Sequence, residues 1–167
     1  MIKLLLKYGL MFVSLVLIQV LLLNHIQLGG YLIPYMYVLF ILLLPVSTPG
    51  YLLILFAFIY GFVIDLFSNS PGIHSSATLF MSIFRAPLIK SISIKEENTN
   101  DYPGLKQYGF RWFFTYSLIM VVIHHIFLFF IEMFSFHDFL STLLRSLLSS
   151  AFSVLIIILS QFIVFRE

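Results

Sequence analysis

Cysteine is absent from the chain, which excludes disulfides, thiolate nucleophiles and thiolate metal sites. Charge is nearly as scarce, at 10% of 167 residues, with a formal net charge of +2. Ordinary soluble domains carry about 25% charged residues, so water is a poor solvent for most of this chain. Alanine first occurs at Ala57, so the apolar run behind Lys3 and Lys7 lacks the small residues of a signal cleavage site and reads as a permanent anchor. Ile2 follows Met1 and no thiol is present, so no lipidation pattern is found. The phosphate-loop, dinucleotide, nucleophile-elbow and HExxH motifs are all missing. No catalytic residue, cofactor or metal is therefore assigned, and the chain is expected not to be an enzyme. Its one polar loop mixes both charge signs, which argues against nucleic acid.

What is present is apolar: 61% hydrophobic residues, 20 of them phenylalanine. A membrane-spanning helix needs about 20 mostly apolar residues. Runs at approximately 4–23, 31–46, 51–67, 72–92, 112–133 and 139–165 predict an all-α integral membrane protein, a compact bundle of six transmembrane helices in one domain over 1–167. The second run is short, with Pro34 near its start and Pro45 near its end. Residues 93–111 form the only substantial loop, containing Lys95, Glu96, Glu97, Asp101 and Lys106. Basic residues collect on the cytoplasmic side of short loops. Placing both termini inside puts Lys3, Lys7, Lys90, Lys95, Lys106, Arg111 and Arg166 in the cytoplasm and leaves the outer turns without Lys or Arg. Trp112, Tyr31, Tyr35, Tyr51 and Tyr108 fall near predicted ends, as interfacial anchors do.

The polar chemistry concentrates at residues 61–76, GFVIDLFSNSPGIHSS. Asp65 lies about six residues below the Pro71-Gly72 turn, roughly 9 Å into the membrane at 1.5 Å per residue. An ionisable group there costs at least about 2.5 kcal/mol on insertion scales and calls for a partner. Arg145, at similar depth in the sixth run, is the expected counter-ion, and an ion or substrate site is the alternative. His124 and His125 are adjacent in the fifth run, where neighbouring residues point about 100° apart and cannot share one ion unaided. They read as hydrogen-bonded interior histidines. Arg85 in the fourth run either snorkels or contacts a carbonyl or acidic group on a partner helix. Ser146 with Ser150, and Ser149 with Ser153, make two small-xxx-small pairs for close packing in the sixth.

The run Tyr60-Gly61-Phe62-Val63-Ile64-Asp65-Leu66-Phe67, followed by Ser70-Pro71-Gly72-Ile73-His74 and Ser75-Ser76-Ala77, resembles the signature of the MreD family of bacterial rod-shape-determining membrane proteins. The resemblance implies a non-enzymatic scaffold of the cell-wall elongation complex in the inner membrane, beside MreC, the actin-like MreB, and the elongasome glycosyltransferase and transpeptidase. Gly61, Asp65, Pro71, Gly72, His74, Arg85 and Arg145 are its candidate structural or partner-binding residues. The family is similar in fold to substrate-binding subunits of energy-coupling-factor vitamin transporters. The alternative function is accordingly a vitamin-like substrate-binding subunit, with a site at Asp65, His124 and Arg145. The first run lacks the Ala-x-x-x-Ala seam that such subunits offer their coupling partner.

Overall fold

Prolines and glycines decide which apolar runs become uninterrupted helices. The structure, a computed structural model, describes residues 2–26, 32–93, 102–134 and 138–164. Helix α1 (Ile2–Leu21) is followed by a 3-10 turn at Leu23–His25. A short second segment comprises a 3-10 turn, Met36–Val38, running into α2 (Leu39–Leu42). Four long helices complete the chain: α3 (Gly50–Ser68), α4 (Ile73–Ile92), α5 (Leu105–Met133) and α6 (Phe139–Val164). There is no β-strand among the described residues. Parts of α1, α3, α5 and α6 are long and apolar enough to cross a membrane. Tyr31, Lys95, Glu96, Glu97, Asp101 and Arg166, singled out above, lie outside the described residues.

Helix α4 has the length of a span, about 30 Å at 1.5 Å per residue, but not the composition. Its Ser75, Thr78, Ser82 and Arg85 are buried against α3 and α5 rather than turned to lipid. Many of the side chains turned outward elsewhere are apolar, including Leu10, Leu66, Leu140 and Leu159.

The second run departs most from expectation, because it forms no spanning helix. Pro34 lacks an N–H and biases the residue before it toward extended backbone, so helical structure begins only at Met36. It ends at Leu42, ahead of Pro45. Yet residues Tyr35 through Leu44 are all buried. Irregular backbone at membrane depth is tolerated only when protein satisfies its polar groups. Tyr35, expected at the interface, is consequently a core residue at 5% exposure.

Helix α5 also differs from expectation, starting seven residues before Trp112. It bends at Gly109, whose φ of 78° lies in the left-handed region that favours glycine.

Side-chain contacts establish that successive elements alternate in direction. At one end, the Tyr8 hydroxyl lies 3.5 Å from the Leu43 carbonyl. Lys7 sits 4.0 Å from the centre of the Tyr102 ring. Burial, with the neighbouring Tyr8 second, pushes the Tyr102 phenol up to about 12, so it is neutral at physiological pH. Lys90 and Lys106, in the last turn of α4 and the first of α5, belong to this same end. At the other end Asn24 donates to Ser68 at 3.1 Å, and Arg145 lies 3.4 Å from Glu132.

Gly61 sets the closeness of α3 and α4. A Cβ there would come within 2.7 Å of the His74 carbonyl oxygen and closer still to the Thr78 hydroxyl and Ser75 Cα. The approach lets Thr78 donate to the Ala57 carbonyl across the pair at 2.8 Å. Gly61→Ala is expected to destabilise the protein by about 1–3 kcal/mol through overpacking, read as a lower denaturation midpoint in detergent; an unchanged midpoint would contradict this contact.

Candidate functional site at the Asp65 end

Helix α3 ends at Asn69, a left-handed C-cap with φ of 52° that this side chain tolerates. Ser70 and Pro71 follow, and Gly72, at φ of 90°, turns the chain into α4. The first amides of any helix lack intrahelical acceptors, and α4 has no capping side chain of its own. Asp65 supplies the acceptors from the preceding helix. Its Oδ2 accepts from the Ser75 and Gly72 N–H groups at 2.9 and 3.2 Å. Its Oδ1 accepts from the His74 N–H at 2.8 Å and from Ser70 Oγ at 3.1 Å. The His74 ring lies against the same oxygen, with Nδ1 at 3.1 Å. A carboxylate held by backbone N–H groups at a helix start is favoured by hydrogen bonding and by the helix dipole together.

This arrangement corrects the expected Asp65–Arg145 pair. Arg145 lies at Glu132, with its guanidinium 4.3 Å from the Phe129 ring centre. The five signature positions Gly61, Asp65, Pro71, Gly72 and His74 come together as one α3–α4 junction, whereas Arg85 and Arg145 belong to other contacts.

Arg85, 2% exposed, does not snorkel out. It donates to the Leu44 carbonyl, to Pro45 O at 3.4 Å and through Nε to the Tyr116 hydroxyl at 3.0 Å. Tyr116 in turn donates to Leu42 O at 3.2 Å. These are the carbonyls left open where α2 stops, and a cation suits a helix C-terminus.

The start of the second segment is served in the same way. Gln19 Oε1 accepts from the Met36 and Tyr37 N–H groups at 2.8 and 3.3 Å, while its Nε2 donates to Pro34 O at 3.1 Å. Ser153 Oγ accepts from the Tyr35 N–H at 2.9 Å and Ser149 Oγ from the Ile33 N–H at 3.4 Å. One of the two predicted serine pairs thus binds non-helical backbone. In the other, Ser150 donates to the Ser146 carbonyl of its own helix at 2.7 Å. Helix α6 packs against α5 and the second segment rather than forming its main contact with the Asp65 helix.

The histidine pair is interior and hydrogen-bonded. His124 Nε2 lies 2.7 Å from the Tyr37 hydroxyl, and His125 Nε2 lies 2.9 Å from Ser153 Oγ. His125 Nδ1 is 2.9 Å from the Val121 carbonyl. Among the described residues no group of three His, Cys, Asp or Glu side chains could hold a metal ion.

Beside the junction is a cavity of about 450 Å³ whose walls include Asn24, Tyr35, Ser68, His74 and Glu132. Asp65, His124 and Arg145, the residues expected to form a ligand site, do not line it. A second depression, about 590 Å³, is an apolar groove between α4 and α5 lined by residues such as Phe80, Phe84 and Phe127. Sequence reasoning missed Gln19 and Tyr116 as partners. The available signal for Gln19 was its place as a lone amide inside an apolar run, since a buried polar group needs a partner. Compared with family models, curated proteins and solved structures, the chain matches none of them.

Proposed function

We propose that this protein is a non-enzymatic scaffold of the MreD type, an all-helical membrane bundle in the bacterial inner membrane with both termini cytoplasmic. In this reading it binds MreC and acts with MreB and the elongasome glycosyltransferase and transpeptidase in lateral wall synthesis. One observation carries the reading: the residues of the MreD-like signature make a single physical device, a carboxylate-capped and glycine-packed junction that rigidly joins α3 to α4. Such a junction fixes the outer end of a helical hairpin against which a partner's transmembrane segment seats. Specificity then comes from helix faces, through packing and a few polar contacts. The basic side chains Lys7, Lys90 and Lys106 at the opposite end suit a cytoplasmic face.

The test is co-isolation of MreC with Asp65→Ala and Asp65→Asn, normalised to the amount of each variant in the membrane. The asparagine keeps one acceptor oxygen, so it maintains the protein level better. Recovery of MreC per molecule is expected to fall in both variants, more in the alanine. Normal level with normal MreC recovery would sink the proposal.

A further inference from the structure

We propose that the cavity beside the Asp65 junction binds a small molecule through a primary ammonium or guanidinium group. Two residues beside the junction, His74 and Tyr35, are each 5% exposed. Ser70 Oγ donates to Asp65 Oδ1 at 3.1 Å and also lies 2.8 Å from His74 Nδ1. With Ser70 donating to the carboxylate, both neighbours of Nδ1 are acceptors toward it, so the proton of a neutral ring sits on Nδ1. His74 Nε2 is then a lone-pair acceptor, and it has no hydrogen-bond partner among the described residues. The Tyr35 hydroxyl has none either. Both residues line the cavity. Nearly buried polar atoms left unpaired are costly, and here they face a space of about 450 Å³, within the ligand-sized range of about 300–1,000 Å³.

The remaining wall selects the ligand's chemistry. Glu132 lines the same cavity with its side chain 38% exposed. Arg145 reaches it at 3.4 Å without lining the cavity, so part of the carboxylate's capacity is left open. The rings of Tyr35 and Phe67 flank the space. A carboxylate, an imidazole lone pair and aromatic faces together complement a donor-rich cation, through charge-assisted hydrogen bonds and cation–π attraction. A carboxylate or phosphate ligand would meet Glu132 and an acceptor nitrogen instead.

The test uses the full chain in nanodiscs and equilibrium dialysis with three probes: tyramine, putrescine and agmatine. At least one is expected to bind saturably, about one per chain. For that probe, Glu132→Gln and Tyr35→Phe should each weaken binding about tenfold or more, and tyrosol, the alcohol analogue of tyramine, should bind at least about tenfold more weakly than any amine that binds. Tyr35→Phe removes a hydroxyl with no hydrogen bond among the described residues, and Glu132 lies at the end of α5, so circular dichroism should show both variants folded. No saturable binding of any probe overturns the proposal, as does affinity unchanged in both variants or equal binding of tyrosol. The inference does not rest on the scaffold reading: amine binding is measured on the isolated chain, and MreC recovery is a separate readout.

Discussion

Asp65→Ala is expected to lower the unfolding free energy by more than about 3 kcal/mol, because several donors each lose a partner at a typical cost of about 1–3 kcal/mol per buried group. The donors are the N–H groups of Gly72, His74 and Ser75, the Ser70 hydroxyl and the His74 ring. Water can reach exposed Gly72 and half-buried Ser70, but it cannot replace the carboxylate at the buried His74 and Ser75 amides without opening the α3–α4 junction. Asp65→Asn retains one acceptor oxygen but brings an amide nitrogen against donors, so a smaller but measurable loss follows. Asp65→Glu tests geometry instead of charge: one added methylene moves the carboxylate off the three amides that it holds. The measurement is denaturant unfolding in detergent followed by circular dichroism. A loss below about 1 kcal/mol for the alanine, the size of one exposed helix cap, would mean that the carboxylate is not the principal acceptor for the start of α4.

Arg85→Met ranks second, with an expected loss of about 2–4 kcal/mol, since it strands buried carbonyls and a hydroxyl that each cost about 1–3 kcal/mol when unpaired. Methionine fills similar space and removes the cost of burying a charge. That gain competes with the loss, as replacements of buried ion pairs by apolar residues show. The balance differs here because, among the described residues, no carboxylate accompanies Arg85 as its partner. Its acceptors are the Leu44 and Pro45 carbonyls and the Tyr116 oxygen, and these remain buried when the guanidinium goes. Lysine has a single nitrogen and cannot span all three, so Arg85→Lys should recover only part of the stability. A stabilised Arg85→Met variant would show that desolvation of the guanidinium outweighs its contacts.

Composition and run length made the all-helical, membrane-suited character legible, along with the long helices α1, α3, α5 and α6. Lipid exposure leaves a strong one-dimensional signal, namely long stretches without charge. The second run carried that signal too and misled, because hydropathy reports only what a residue can be buried in. Tyr35 through Leu44 are buried in protein, not in lipid. The prolines that bracket the run were visible, but whether they tip it into a broken segment depends on partners elsewhere in the chain. Gln19, Ser149, Ser153 and Arg85 are those partners, at sequence separations from 15 to 118. No local pattern encodes pairings of that range.

The Asp65 site was legible in part for the same reason. A carboxylate in an apolar run announces that it needs a partner, and the break at Pro71 and Gly72 announces a turn. Charge complementarity pointed to Arg145, although the nearest donors were the backbone amides just across the turn. Backbone N–H groups leave no trace in a one-letter sequence, so reasoning from side-chain charge overlooks them. The same oversight hid the role of Gln19, which caps the start of the second segment as Asp65 caps α4.

Buried polar side chains of this chain serve interrupted backbone, and the non-helical residues 33–35 provide the sharpest test. Residues two apart in an extended segment are separated by about 6.6 Å at 3.3 Å per residue, which matches the roughly 6 Å spanned by i and i+4 on a helix with its 1.5 Å rise. Ile33 and Tyr35 can therefore meet Ser149 and Ser153 at once. On a continuous helix, residues two apart point about 200° from each other and could not both face α6. The cysteine-free background makes the measurement direct: Ile33→Cys with Ser149→Cys, and Tyr35→Cys with Ser153→Cys, treated in membranes with a short bis-methanethiosulfonate cross-linker, whose two sulfinate groups leave as the thiolates attack. Efficient cross-linking of both pairs is predicted. Cross-linking of one pair without the other, as a regular second helix requires, would contradict the account.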